Sequence, residues 1–325
     1  MKFLVFCLLF VLGAGTADAR CSGIDYRTRL TPAELTTLKR EAAKIPFAYG
    51  NHWVATRNGQ RIHVIGTMHG GDTRMAKVMR TLRPVIRSAD AVLFEITGDK
   101  VGPDSFERSI DHFLLPQNRR LHDLFADATW DTVSQLALAR GLNPTKVDTL
   151  QPWAASMFLI NDGCTPLGFG TTLGLDDRIE RYARRKGIPI GSLETTDESF
   201  SALSRVPLGD QVRSFEIELA MLLADKPDDA TAVEAYFEQS LWEAMIMHQW
   251  SLRQYVDTSE RELDRHWRRF ENNMINWRNK NWINRILRTK GDTIVVAVGG
   301  AHLPGKSGLL NLLQARGFNL ERAAW

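Results

Sequence analysis

The sequence predicts an α/β fold: a central mixed sheet formed from both ends of the mature chain, with large helical insertions between them. Three observations carry this expectation. Short β-rich apolar runs lie near both ends, at residues 52–65, 91–95 and 293–298. Amphipathic helical stretches separate them, which is not the even strand-turn spacing of an all-β chain. Two long stretches, about 100–170 and 208–289, read as helical, and no repeat, low-complexity tract or linker divides the chain.

Composition narrows the classes. With 325 residues, 44% of them apolar, the chain is long enough for one sizeable core. Lys and Arg number 41 against 38 Asp and Glu, so no basic excess marks a nucleic-acid binder and no acidic excess marks disorder. A mean hydropathy of −0.23 excludes a polytopic membrane protein. Three cysteines are too few for a disulfide framework or a Cys-rich zinc module.

The elements follow in chain order. Met1-Lys2, the apolar run from Phe3 to Leu12, and Ala17-Asp18-Ala19 have the form of a signal peptide cleaved after Ala19. The run is short of the roughly 20 apolar residues a bilayer span needs, so no stable membrane span is expected after cleavage. A periplasmic or secreted location is therefore expected. Export leaves Cys21 and Cys164 as a lone pair that can form a disulfide, worth roughly 4–5 kcal/mol in the chain-entropy model. The alternative is two unrelated buried thiols.

Thr31-Pro32-Ala33-Glu34 is a helix start, with a Thr cap, Pro in the first turn and Glu three residues on. Asn58-Gly59 between residues 52–56 and 61–65 predicts a hairpin. A helix from about Met75 to Ser88 leads to the buried-type strand Ala91 to Glu95, and a helix from Asp176 to Lys186 leads to a short strand from Ile188 to Glu194. Leu263, Trp267, Phe270, Met274 and Trp277, spaced four and three apart, form one helical stripe. A strand from Thr293 to Val298, a loop, a helix from Ser307 to Arg316 and an edge strand from Phe318 to Glu321 complete the plan.

Four of the predicted strands finish with a titratable residue: His69, Glu95, Glu194 and His302. In open α/β sheets ligands bind beyond the carboxyl ends of the strands. Two imidazoles and one or two carboxylates gathered there suit a divalent metal ion, with an open position for water. Both histidines stand in a Gly-x-x-His frame, where glycine lets the backbone turn sharply off the strand. Each residue alone says little, since a single His after a strand is usually a hydrogen-bonded core residue. Arg278, four residues beyond Met274, can lean inward and offer a fixed cation, or lie solvated among its arginine neighbours. His63, His112, His122, His248 and His266 lack partner spacing, and the five tryptophans from Trp242 to Trp282 read as core or groove lining. Residues Gly300 to Ser307 match the Walker A pattern, but only 18 residues follow Ser307, too few to complete a nucleotide domain. Lys306 can at most hold an anionic group there.

Together Val64 to Asp72, Leu93-Phe94-Glu95, Gly191 to Thr195, Arg278-Asn279 and Val298 to Gly305 resemble, in that order, the TraB/GumN family. The similarity runs from about Ile45 to Glu321. The family includes the pheromone-shutdown proteins TraB and PrgY and the animal TIKI metalloproteases. Its fold is similar to that of the erythromycin esterase and ChaN group. The resemblance implies that His69, Glu95 and His302 belong to an active site, with Arg278, Asn279 and Glu194 close by. It departs at Asp197-Glu198-Ser199, where the family commonly shows a Glu-Gln pair.

The expected function is an exported metal-dependent hydrolase that cleaves an amide bond in a peptide or protein through metal-activated water. In it His69, Glu95 and His302 hold the metal, while Glu95, Glu194, Arg278 and Asn279 do the catalytic work. The alternatives are a non-catalytic exported protein that sequesters a ligand or peptide, and a metal-independent esterase.

Overall fold

The computed structural model describes residues 23–98, 107–160, 174–224, 229–255 and 259–325. The signal-peptide segment and both Cys21 and Cys164 lie outside the described residues.

After a 3-10 turn over Tyr26–Arg29 comes the helix α1 (Pro32–Ala42); the Thr31 side chain accepts from the Glu34 amide while Glu34 accepts from the Thr31 amide, the reciprocal cap expected of this sequence. Next come β1 (His52–Arg57) and β2 (Gln60–Thr67), joined through Asn58 and Gly59 at φ 52° and 85°. Positive φ at both positions is what a twisted two-residue hairpin turn demands, and Asn-Gly tolerates it. Then follow α2 (Met75–Arg87) and β3 (Ala91–Phe94). The first helical insertion holds α3 (Asp127–Ala139), α4 (Pro144–Val147) and α5 (Pro152–Leu159), the last two each starting on a proline. The chain returns to the sheet through α6 (Leu175–Arg185) and β4 (Ile190–Ser192).

Beyond β4 lie α7 (Thr196–Ser204), α8 (Leu208–Leu223), α9 (Thr231–Phe237), α10 (Leu241–Tyr255) and α11 (Glu260–Phe270). A π-helical turn, Glu271–Asn276, joins α11 to α12 (Trp277–Arg288). The chain closes with β5 (Thr293–Gly299), a 3-10 turn over Gly300–His302, α13 (Leu309–Gln314) and β6 (Asn319–Arg322).

Among the described residues the strands form one six-stranded mixed sheet in the order β4-β3-β5-β2-β1-β6. β4, β3, β5 and β2 run parallel; β1 is antiparallel to both β2 and β6. The central strands alternate strictly. Ile62, Val64, Leu93, Ile294, Val296 and Val298 point to one face, where α12 and α13 cover them. Ile65, Val92, Phe94, Val295 and Ala297 point to the other, beneath α2 and α6. Burial on both faces explains why these strands read as continuous apolar runs.

The insertions build a separate core. Leu121, Phe125, Val133 and Leu159 of the first pack on Phe215 and Leu219 of α8 from the second. Trp242 and Ile246 of α10 pack instead on Leu38 and Ala42 of α1. The last helix of the 208–289 stretch, α12, is part of the sheet's cover. No helix among the described residues is long and apolar enough to cross a membrane.

Three expectations need correction. The strand predicted over 188–194 has regular ladder geometry only over Ile190–Ser192 at the sheet's outer edge, although its backbone bonds to the β3 segment run on from the Pro189 carbonyl to the Leu193 and Glu194 amides. The helix predicted from Ser307 begins at Leu309, because Gly305 turns through φ 96° and Gly308 lies against the backbone of Leu303 and Pro304. The aromatic stripe is broken: Leu263 is buried, whereas Phe270 is 41% exposed. The π-turn adds a residue between Phe270 and Trp277 and so shifts the phase of every position after it.

Candidate functional site

Parallel pairing brings four carboxyl ends to one edge. Thr67 of β2 stands beside Gly299 of β5; Phe94 of β3 pairs with Ala297 of β5 and with Ser192 of β4. Immediately past these ends come His69, His302, Glu95 and Glu194. The glycines of the two Gly-x-x-His frames do not supply the sharp turn expected of them, since neither Gly66 nor Gly299 has a positive φ. They supply room. A Cβ on Gly66 would stand 3.0 Å from the Gly300 Cα, and one on Gly299 would stand 3.2 Å from Glu95 Oε1.

Arg278 lies at the centre of the cluster. Its Nε donates to Glu194 Oε1 at 3.0 Å and Oε2 at 3.1 Å, and its Nη2 donates to Glu95 Oε2 at 2.5 Å and also to Glu194. Its Nη1 stands 3.3 Å from His302 Nε2 and donates to the Met274 carbonyl at 3.5 Å. The inward alternative for Arg278 is therefore the one adopted, at 6% exposure. Its position depends on the π-turn just before it, because the extra residue rotates the start of α12 relative to α11.

Asn279 is fully buried and fixes His302. Its amide Nδ2 donates to the carbonyls of His302 and Ser307, at 3.0 and 2.9 Å. That leaves Asn279 Oδ1 to accept from His302 Nδ1 at 2.8 Å. The ring therefore carries its proton on Nδ1 and presents the Nε2 lone pair to Glu95 and Arg278. Trp282, one turn after Arg278, closes the back of the site. Its Nε1 donates to Glu194 Oε2 at 2.9 Å, its ring lies 4.5 Å from the His302 ring, and the Arg278 Cζ stands 4.7 Å from its centre.

His69 stands apart on the lip, its side chain 68% exposed, with Nδ1 2.9 Å from Asp176 Oδ2. Glu95 lies between the two regimes at 16% exposure, and the Gly299 amide donates to its Oε1 at 2.7 Å. Glu95 Oε1 is 3.8 Å from His302 Nε2. Among the described residues no three His, Cys, Asp or Glu side chains converge as a metal-ligand set.

The environment sorts the protonation states. Burial opposes ionisation of Glu95, but Arg278, the cationic His69 and the Gly299 amide hold its carboxyl well below the usual carboxylate range. Burial pushes Glu194 up, against the pull of Arg278, with Glu95 adding to the rise. Burial drives His302 down to about 3, so it is neutral. The bond to Asp176 raises His69 to about 9, so it is cationic.

Glu95, Glu194, Arg278, Asn279 and His302 thus form one cluster, and His69 borders it. Two participants escaped the sequence reading. Asp176 lies 107 residues from its partner, and no local pattern links them. Trp282 had a usable signal: it is four residues from Arg278, hence on the same helical face. Lys306 is exposed, and α13 behind it has only six residues, so the Walker-like loop builds no phosphate cradle.

A model of the TraB/PrgY/gumN family matches residues 51–322, a span that holds every member of the cluster. The uncharacterized protein YbaP of Escherichia coli (strain K12) is 23% identical over 285 residues, covering 82% of this chain and 94% of that protein. YbaP of Shigella flexneri is similar to the same extent.

Proposed function

The chain belongs to the TraB/PrgY/gumN family, and on that premise we propose that it is an exported metal-dependent hydrolase acting on an amide bond of a peptide or protein. One observation supports this most directly. Two imidazoles follow neighbouring parallel strands, and each has its Nδ1 tied to an oxygen, of Asp176 for His69 and of Asn279 for His302. Such outer partners orient a ligating histidine and leave Nε2 for the metal.

The donor types, two imidazole nitrogens and the Glu95 carboxylate, suit a divalent cation, but in the described geometry they do not converge; binding would require His69 to turn in from the lip and give up the proton that Asp176 now favours. His69, Glu95 and His302 would hold the cation, which when bound would supply Lewis acidity to water and to the scissile carbonyl. The chain's own residues do the remaining work. Arg278 keeps Glu95 ionised, so its carboxylate accepts a hydrogen bond from an incoming water. Glu194, only 3% exposed, clamps the guanidinium from behind together with Trp282 and acts as a positioning residue. Asn279 holds His302 in a single tautomer.

A second reading draws on the Arg278 Nη1 contact with His302 Nε2, which occupies the lone pair a metal would use. It is a hydrolase that works with imidazole, carboxylate and guanidinium alone.

Metal content of the purified wild type, His69→Ala and His302→Ala, read beside turnover of a quenched-fluorescence peptide library, separates these readings. Metal in the wild type, lost with turnover from both variants, is the expected result. Turnover that survives chelation transfers the proposal to the second reading. A wild type that neither retains metal nor cleaves any peptide sinks both and leaves a sequestering protein.

A further inference from the structure

Two helices, α2 and α6, cover one face of the sheet, and apart from Asp176 they take no part in the strand-end cluster. Their inner sides are apolar: Val78, Leu82 and Ile86 of α2 pack with Ile179 and Ala183 of α6. Their outer sides are basic. Lys77, Arg80, Arg83 and Arg87 follow at three- and four-residue spacing, one exposed stripe along the whole of α2. Arg181, Arg184 and Arg185 form a second exposed stripe on α6, continued by Lys186. The stripes are neighbours, since the Arg83 Cζ stands 5.8 Å from the ring centre of Tyr182.

The charge of the protein is segregated into this layer. From Met75 to Arg87 and from Leu175 to Lys186 the chain carries nine cations against three acids, a net +6. The rest carries 32 cations against 35 acids, a net −3. The three acids of the layer are mostly engaged elsewhere. Asp176 holds His69, Asp177 accepts from the Gly174 amide, and Glu180 accepts from Arg184 and the Gly98 amide. Lys77, Arg80, Arg87, Arg185 and Lys186 form no ion pair among the described residues. Helix dipoles account for Arg87, Arg184 and Arg185 in the last turns. They do not account for Lys77, which stands in the first turn of α2, where a cation is disfavoured. The arginine-rich α11 differs, because Arg268 pairs with Asp264 and Arg269 with Asp210.

We propose that the α2–α6 layer docks on the acidic headgroups of a phospholipid membrane surface, as a reversible and salt-sensitive peripheral contact. A layer of cations with no large apolar side chain exposed among them suits the negative potential of such a surface. A nucleic acid fits less well: Tyr182, the one aromatic residue of the two helices, is buried and offers no base a stacking platform. The contact does not depend on the chemistry of the strand-end cluster, but it orients that cluster. Both helices begin at the strand carboxyl edge, where the Leu175 amide donates to the Met68 carbonyl beside His69. Docked on this layer, the protein lies with its sheet along the membrane and opens the candidate site sideways over the surface.

Cosedimentation with vesicles of phosphatidylcholine alone, or with about 30% phosphatidylglycerol added, tests the assignment. The anionic vesicles are expected to bind the protein at least about tenfold more strongly, and about 0.5 M NaCl should release it. Lys77→Glu combined with Arg80→Glu and Arg185→Glu should weaken binding by about a hundredfold or more. Lys280→Glu combined with Arg288→Glu and Lys290→Glu changes net charge equally, on and just after α12, which covers the sheet's other face. That control should lose no more than about threefold. Should the first triple variant not fold, Lys77→Gln with Arg185→Gln must weaken binding about tenfold or more. Equal binding of neutral and anionic vesicles, or equal losses in the two triple variants, overturns the proposal. Tighter binding of a short DNA duplex than of the anionic vesicles also overturns it, and reassigns the face to a nucleic acid.

Discussion

Arg278 holds two carboxylates and an imidazole in a largely buried cluster, so its removal should cost more than any single contact suggests. Arg278→Met leaves Glu95 and Glu194 facing each other without a cation, and breaking a buried ion pair from one side costs about 3–5 kcal/mol. Urea denaturation should show a loss of that size, and a loss under about 1 kcal/mol would contradict the clamp. Asn279→Ala is a subtler probe. It frees the His302 ring and should weaken metal binding about 10- to 100-fold, as outer-partner losses do. A metal titration with unchanged affinity would count against the tautomer argument. Glu95, Glu194 and His302 were legible in the sequence as strand-end polar groups, Arg278 as an inward-leaning option on a helical stripe, and Asn279 only through the family resemblance. Their bonding was not, because Glu95 and Arg278 are 183 positions apart.

A second pair of histidines carries a pH dependence of its own. His52 Nε2 and His63 Nδ1 are 3.1 Å apart inside the β1–β2 hairpin, and His52 Nδ1 donates to the Ala324 carbonyl at 2.6 Å. Burial first, and then the neighbouring His52 and Arg61, lower His63 to about 4. The folded state thus resists a proton that the unfolded chain accepts below about 6.5, so this stability is full above that pH and is lost as pH falls toward 4. The loss should reach about 2 kcal/mol by pH 5. Denaturation of wild type and His63→Gln at pH 7.5 and 5 checks it: the variant should show a flatter pH dependence, and parallel curves would refute the assignment.

At the scale of elements, the π-turn Glu271–Asn276 is the device that aims α12. A π-helix carries one more residue per turn than an α-helix, so deleting Asn272 should restore α-helical phase. The change rotates Arg278 and Asn279 by about 100° relative to α11. Helix content should persist by circular dichroism while metal binding and turnover vanish together. Retention of either in a folded deletion variant would show that the turn is incidental. The stripe from Leu263 to Trp277 predicted a helix and found one, but its spacing assumed a single phase throughout. The hairpin and the α1 cap were legible for the opposite reason, since each is decided within four residues by backbone conformation and local hydrogen bonds.

For the molecule as a whole, the expected processing is open to a direct check. Mass spectrometry of protein recovered from an exporting host should give a chain beginning at Arg20, lighter by two hydrogens before reduction if Cys21 and Cys164 are joined. A chain retaining Met1 would remove the export premise.

The sequence by itself determined the strands, most helix starts, the mixed sheet built from both chain ends, and the polar residues at the strand ends. These follow from alternation, caps and turn residues, which act over a few positions. Tertiary structure alone decided that Asp176 holds His69, that Arg278 binds both glutamates, and that Trp282 backs His302. It also made the insertions share one core, with Phe215 of one packed against the helices of the other. The physical reason is common to all of these. Buried charges and apolar faces must find partners wherever the folded chain brings them, and that requirement leaves no periodic trace along the sequence.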